Sequence, residues 1–260
     1  ISHYRAILAD EIKILNIIKE ELIEIKQKFA DQRKTIISEE EATEFEIEDL
    51  ISEEDVIVTV TNHGYIKRMP LTIYRSQRRG GRGVTAIGTK EEDFVQHLFI
   101  ASTHDHVLFF TNKGKVYRLK VFEIPEASRQ ARGQAIVNLL NLSRGERITA
   151  IISVSNFTSE IYLFMATREG IVKKTPLTQF STTKRDGIIA INLDEKDELI
   201  DVVMTAGKDE LCLGTKNGRA LRFSERDVNP YSRTARGVKG ITLREGDEVI
   251  GLVTVRPDMD

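Results

Sequence analysis

Few residues in this 260-residue chain are set up for chemistry. Thr103-His104-Asp105-His106-Val107 puts two imidazoles and a carboxylate within three positions, side chains that also serve divalent-metal sites. The alternation runs directly into Val107-Leu108-Phe109-Phe110, so the expectation is a turn entering a strand, with no metal bound. The other histidines, His3, His63 and His97, are scattered. The single cysteine, Cys212, offers neither an intrachain disulfide nor a cysteine-based metal site, and it fits a reducing compartment. No serine stands in a nucleophile elbow. The stretch 77–83 reads QRRGGRG, three arginines and three glycines in seven residues. Guanidinium groups donate forked, charge-assisted hydrogen bonds to phosphate, and glycine lets backbone N–H groups come close to an anion. The stretch is not a nucleotide-hydrolysing loop, because Lys90 follows Thr89 seven residues after Gly83 instead of joining a Gly-Lys-Ser/Thr triplet. The stretch is either a solvated turn or a turn shaped to hold an anion; no catalytic residue, no metal and no cofactor are expected in this chain.

The net charge of −2 hides a polarised distribution. Residues 36–55 carry ten acidic side chains and no lysine or arginine; residues 56–90 carry seven cations and no acid. No run of eighteen apolar residues and no signal peptide is present, so a membrane span is not expected and a cytoplasmic setting is. The acidic segment is positioned to compete with a polyanion for the basic face.

These groups need a frame. Ile7, Ile14, Ile18, Leu22, Ile25 and Phe29 recur at helical spacing, predicting one amphipathic helix over 3–29 within a first region of residues 1–35. Ser38, with Glu41 three residues on, predicts the cap of a short second helix inside an acidic linker of residues 36–55. From 56 to 260 the pattern changes to strands and repeats. TVTNHGYIKR (59–68), FFTNKGKVYR (109–118), FMATREGIVKK (164–174) and CLGTKNGRALR (212–222) share Thr-x-x-Gly and end in a cation. The central glycines, Gly64, Gly114, Gly170 and Gly218, mark four hairpins. A second element recurs after each, beginning at Gly83, Gly133, Gly187 and Gly237, and then a third, EEDFV, GERIT, KDELI and GDEVI. One hairpin is marginal alone, and stacking units around an axis buries their apolar faces. The fold class is therefore all-β and propeller-like, four complete repeats after a long N-terminal helix. The last element, at 246–250, is expected to open a fifth unit that the chain does not finish. Both ends read as those of a piece of a longer protein.

The repeat carries charge as well as fold. Lys67, Arg68, Arg118, Lys120, Lys173, Lys174 and Arg222 recur at the ends of second strands. Arg78, Arg79, Arg82, Arg129, Arg132, Lys184, Arg185, Arg233 and Arg236 recur just before the glycine elements. One reading is a set of solvated strand ends that discourage aggregation. The other is a basic belt tracking the backbone of duplex DNA, with little base reading.

The stretch 77–83 resembles the signature box of the C-terminal domain of the DNA gyrase A subunit, whose form is Gln, basic, Arg, Gly, Gly, basic, Gly. Gln77, Arg78, Arg79, Gly80, Gly81, Arg82 and Gly83 match all seven places. EDVIVTVTNHGYIKR, THDHVLFFTNKGKVYRLK, FMATREGIVKKT and GVKGITLREGDEV are similar to that family too, so the resemblance spans nearly the whole chain. It implies a β-pinwheel, usually of six blades that exchange strands, whose basic rim wraps duplex DNA with positive handedness. The box is implied to help close the ring and to be tied to negative supercoiling. The helix over 3–29 is implied to be the last of the breakage–reunion domain, and A subunits are implied to self-associate through regions mostly outside this chain. The implied holoenzyme is an A2B2 tetramer, bacterial, cytoplasmic and chromosome-associated. It hydrolyses ATP with Mg2+ on the B subunit, and its cleaving tyrosine lies outside this chain, so neither Tyr4 nor Tyr65 takes that role. Two alternatives remain: the matching domain of topoisomerase IV, which relaxes and decatenates and has a degenerate box, and a protein-binding propeller whose charged rim only solubilises.

Overall fold

The structure is a computed structural model that describes residues 1–29, 47–73, 93–182 and 186–255. Its contacts divide the chain into two compact units, Ile1–Phe45 and Glu46–Asp260. The first holds α1 (Ser2–Leu8) and α2 (Glu11–Phe29). The single helix expected over 3–29 is interrupted because Asp10 Oδ1 accepts the Ile12 N–H at 3.1 Å. That aspartate caps a new helix, satisfying an amide that has no carbonyl partner one turn back. Leu15, Ile18, Leu22 and Ile25 of α2 stand exposed. The helix expected from Ser38 lies outside the described residues.

The second unit is built of strands: β1 (Asp55–Thr61), β2 (Tyr65–Pro70), β3 (Val95–Ser102), β4 (His106–Thr111), β5 (Lys115–Lys120), β6 (Gln134–Ala135), β7 (Ile148–Val154), β8 (Tyr162–Thr167), β9 (Ile171–Pro176), β10 (Ile188–Ile189), β11 (Leu199–Thr205), β12 (Glu210–Thr215), β13 (Ala220–Ser224), β14 (Val238–Lys239) and β15 (Val249–Val255). They form four antiparallel sheets, ordered β3-β1-β2-β6, β10-β5-β4-β7, β11-β8-β9-β14 and β13-β12-β15. Each of the first three is a hairpin, the strand after its loop, and a two-residue strand lent by the next repeat. β7, β11 and β15 lie side by side, as strands nearest a common axis do in a propeller.

The lent strands explain the second repeated element. Ala135 pairs with Tyr65, Ile188 with Val116, and Val238 with Val172. The third element has a different place from the one expected. β15 pairs with β12, from Glu210↔Val255 to Thr215↔Val249, so residues 249–255 complete the fourth sheet and do not open a fifth unit. Self-similarity sets the period of a repeat, not which strand begins it.

The core lies between successive sheets, which accounts for the unbroken apolar runs. Along β4, Val107 and Phe109 pack toward Val56, Val58 and Val60 of the first sheet. Leu108 and Phe110 pack toward Leu163 and Met165 of the third. A strand with period two is apolar throughout when both faces are covered. The hairpin turns are held by the residues that define the repeat. Gly114 takes φ 70 at its turn, a region open to glycine. Thr61 and Thr167 Oγ1 accept the N–H groups of Tyr65 and Ile171 at 3.2 and 3.1 Å. Asp93, Asp197 and Asp247 accept the turn amides of His63, Glu169 and Asn217 at 3.1, 2.9 and 3.0 Å. In the second unit Glu146 takes that place and reaches further, accepting from Thr111 Oγ1 at 2.7 Å and from the Tyr117 hydroxyl.

Candidate nucleic-acid interface

Apart from Lys120, two residues beyond Arg118, the cations at the ends of second strands fall on two adjacent positions, hence on opposite strand faces. The third residue after each turn glycine is Lys67, Tyr117, Lys173 and Leu221; the fourth is Arg68, Arg118, Lys174 and Arg222.

Lys67 and Lys173 do not lie on a rim. Both side chains are fully buried. Lys67 Nζ donates to the carbonyls of Ser128, Arg129 and Ala131 at 3.0, 2.7 and 2.9 Å. Lys173 Nζ donates to the carbonyls of Ala190, Ser232, Arg233 and Ala235. Burial holds Lys67 below the ordinary lysine range; burial, with the Arg233 charge, brings Lys173 down to about 7. Lys174 is buried as well, donating to the Glu225 carbonyl at 2.9 Å with its ammonium 5.2 Å from the Tyr162 ring. A duplex cannot touch these three ammonium groups while the next unit's loop covers them. The sequence pattern misplaces them because a lysine ending a strand looks solvated until that covering loop is known.

Arg68 and Arg118 are shared with the neighbouring unit. Arg68 Nε donates to the Ile124 carbonyl at 2.8 Å and a terminal nitrogen lies 3.2 Å from Glu126. Arg118 donates to the Ser181 carbonyl and sits 5.8 Å from the Phe157 ring. Lys120 Nζ is 2.7 Å from Glu48, the acidic segment's contact with this surface, and that hydrogen bond holds Glu48 below the usual carboxylate range. Arg118 and Lys120 line a polar cleft of about 530 Å³ with His106, Asn138 and Asn141. Arg222 is exposed and pairs with Glu210.

The remaining cations stand on loops. Arg129 is half-buried without a carboxylate partner among the described residues. The Arg132 guanidinium lies 3.7 Å over the Tyr65 ring, and its buried Nε has no hydrogen-bond partner among the described residues. Arg233 donates to the Ile189 carbonyl at 2.7 Å, and the exposed Arg236 pairs with Asp194. One junction thus gathers Lys67, Arg129 and Arg132; its counterpart gathers Lys173, Arg233 and Arg236. Residues 77–83, Lys184 and Arg185 lie outside the described residues. Lys239 went unselected in the sequence, yet it is exposed on the outermost strand β14; its signal is the cation in GVKG.

Charges near the hairpin turns are already compensated. Glu198 joins Arg147 at 2.6 Å and Arg168, while Glu248 joins Arg168 at 3.7 Å and Lys216 at 3.0 Å, a chain crossing three units. Burial works against the Glu198 carboxylate, but the Asn112 hydrogen bond and the two arginines hold its pKa low. The Thr103–Val107 motif forms a turn: His104 Nε2 is 2.9 Å from the Ile51 carbonyl, and Asp105 accepts the Ser102 N–H at 2.9 Å. Among the described residues no three His, Cys, Asp or Glu side chains are grouped to hold a metal, and no helix is long and apolar enough to cross a membrane.

The sequence matches the family described as DNA gyrase C-terminal domain, beta-propeller, over residues 55–102, 105–155, 162–206 and 209–256. It is 54% identical to the DNA gyrase A subunit of Halalkalibacterium halodurans over 242 residues, covering 93% of this chain and 29% of that protein. It is 51% identical to that of Clostridium acetobutylicum over 240 residues, covering 92% of this chain and again 29% of the relative. The chain therefore spans under a third of the length of the curated relatives it matches. Among solved structures, a C-terminal domain of DNA topoisomerase IV is similar with TM-score 0.69 and 36% identity, over 79% of this chain and 62% of that one. A DNA gyrase A C-terminal domain is similar with TM-score 0.60 and 28% identity, over 78% and 66%.

Proposed function

The chain belongs to the DNA gyrase C-terminal domain, beta-propeller family, and on that premise we propose that it binds and bends duplex DNA as a non-catalytic part of a gyrase A subunit. The observation that carries this reading is the recurrence of an arginine pair, Arg129 with Arg132 and Arg233 with Arg236, on equivalent loops of the second and fourth units. Duplex DNA carries a charge about every 1.7 Å, and cations repeated at unit spacing meet its backbone without reading bases. Bending a 20–30 bp stretch costs on the order of 1–6 kcal/mol, so several such contacts must act together. Arg68, Arg118, Arg222 and the QRRGGRG stretch add to the same set; the three buried lysines do not. In the assembly this reading implies, two A and two B subunits pass one duplex through another. ATP and Mg2+ act on the B subunit, and the wrap biases passage toward negative supercoils.

The test is the triple variant Arg78→Ala, Arg79→Ala, Arg82→Ala in the reconstituted holoenzyme. ATP-dependent negative supercoiling is expected to be lost, with DNA cleavage and relaxation retained; full supercoiling by the variant refutes the role of the box. The topoisomerase IV alternative is favoured by the 36% identity to that enzyme's domain and opposed by the intact box. Decatenation without supercoiling by the unaltered holoenzyme decides for it. Failure of the unaltered chain to bind duplex DNA at low salt decides for a protein-binding propeller.

A further inference from the structure

Two buried lysines have no carboxylate partner among the described residues and no role in touching DNA, yet each donates to the same three carbonyls of an equivalent loop, Lys173 reaching the Ala190 carbonyl besides. Lys67 Nζ takes the carbonyls of residues 128, 129 and 131; Lys173 Nζ takes those of 232, 233 and 235. The two loops share one sequence, Ser128-Arg129-Gln130-Ala131-Arg132-Gly133 and Ser232-Arg233-Thr234-Ala235-Arg236-Gly237. The carbonyls bound are those of the serine, the first arginine and the alanine in both. Where the loop departs from this pattern, at Ser181-Thr182-Thr183-Lys184-Arg185-Asp186-Gly187, the facing residue is Tyr117, not lysine. Lysine on the strand and Ser-Arg-x-Ala-Arg-Gly on the loop therefore occur together, at two junctions of one chain.

A buried ammonium is expensive to desolvate, and the fourth unit carries Leu221 at the same place. Three or more charge-assisted hydrogen bonds offset that cost and fix the backbone of the loop that receives them. Packing closes the joint further: a Cβ on Gly133 would fall 3.1 Å from Lys67 Cβ, and one on Gly237 would fall 3.0 Å from Lys173 Cβ. Turning the serine, arginine and alanine carbonyls inward sets the direction in which the two arginines of each loop leave the backbone.

We propose that Lys67 and Lys173 are positioning residues for duplex binding, each clamping the arginine loop of the following unit so that its two guanidinium groups are set before DNA arrives. The consequence for DNA rests on the duplex-binding reading above; the clamp itself does not. Preordering a loop removes part of the ordering cost of association, so loss of the clamp weakens binding although no exposed charge is removed.

The experiment uses the full chain with Lys67→Leu, Lys173→Leu, Arg129→Ala/Arg132→Ala, and Lys67→Leu combined with that pair. Hydrogen exchange of the free protein reads the clamp. The amides of Ala131 and Ala235, which donate to the Ser128 and Ser232 carbonyls, should exchange about ten-fold faster in the matching Leu variant. Titration with a random-sequence duplex reads the consequence: affinity about three- to ten-fold weaker in Lys67→Leu, and no further loss when Lys67→Leu is added to Arg129→Ala/Arg132→Ala. Unchanged exchange overturns the clamp. Faster exchange with unchanged affinity, or a loss additive to that of the arginine pair, overturns the positioning role while the duplex-binding reading stands. An unaltered chain that binds no duplex overturns that reading, and exchange still decides the clamp. Should a Leu variant fail to fold, Lys67→Arg and Lys173→Arg take the same measurements. They keep the charge but spread the donors over a planar fork, so the same acceleration and loss are expected, smaller in size.

Discussion

Replacing Gly133 with alanine tests whether the lent strands join the units. Gly133 has φ +87 and leads into β6, and a Cβ there would lie 2.5 Å from the Ile66 carbonyl oxygen and 3.0 Å from its carbon. Two costs arise. The left-handed backbone region costs an L-residue about 1–2 kcal/mol. The contact with Ile66 is with backbone, so no flexible side-chain end can yield; the lent strand must move away from β2. That movement endangers the pairing of Tyr65 with Ala135 and Ile66 with Gln134, and the hydrogen bond from the Ile136 N–H to the Gly64 carbonyl at 2.8 Å. Losing two such hydrogen bonds costs roughly 1–3 kcal/mol. The expected total is about 2–5 kcal/mol. Gly145→Ala is the control: its φ is +75 but nothing lies within 4 Å of the added methyl, so only the backbone cost of about 1–2 kcal/mol applies. The chain has no tryptophan, so urea unfolding is followed by far-ultraviolet circular dichroism and midpoints are compared at constant slope. Equal losses in the two variants would show that β6 is not held against β2 as described.

Three further outcomes are expected. Burial and the nearby Lys120 and Arg118 charges hold His106 down to about 4, against an ordinary value near 6.5. The unfolded chain therefore binds more protons between those values, and stability falls as pH drops through that window; denaturation midpoints for His106→Gln should lose this dependence. Arg236→Ala should flatten the dependence of log affinity on log salt by about 0.9 and weaken binding alike at all DNA sequences, whereas an unchanged slope removes Arg236 from the interface. Glu48→Gln, which frees Lys120, should raise duplex affinity at low salt while changing stability by less than about 1 kcal/mol; unaltered affinity would end the idea that the acidic segment shields this surface.

The four hairpins were legible because Thr-x-x-Gly carries its own mechanism: the threonine hydroxyl accepts an amide and glycine takes the turn. The apolar runs such as Val107 to Phe110 were legible as buried strands because both faces are covered. The phase of the units was not, since β15 and its equivalents look alike whether they begin one sheet or finish another. The two lent residues of β6, β10 and β14 were visible as a recurrent glycine element, but their partners sit in the preceding unit, and self-similarity names no partner. Of the candidate interface, the recurrence of the cations was legible and the burial of Lys67, Lys173 and Lys174 was not. Lys67 and Lys173 share charge with Arg68 and the loop arginines, and only knowing which loop lies over a strand separates a clamp from a contact. The break at Asp10 was hidden by an apolar stripe that continues in register across it.

The lending of strands runs one way along the chain, and this gives biosynthesis a direction. A ribosome delivers β1 and β2 first, but their outer edge stays bare until Gln134 and Ala135 emerge, some seconds later at about 5–20 residues per second. The hairpins β4–β5 and β8–β9 wait in the same way for β10 and β14. During that interval each leaves an exposed sheet edge as its most vulnerable feature, open to pairing with a neighbouring nascent chain. Slowing translation over residues 71–133 should therefore increase aggregation of this protein.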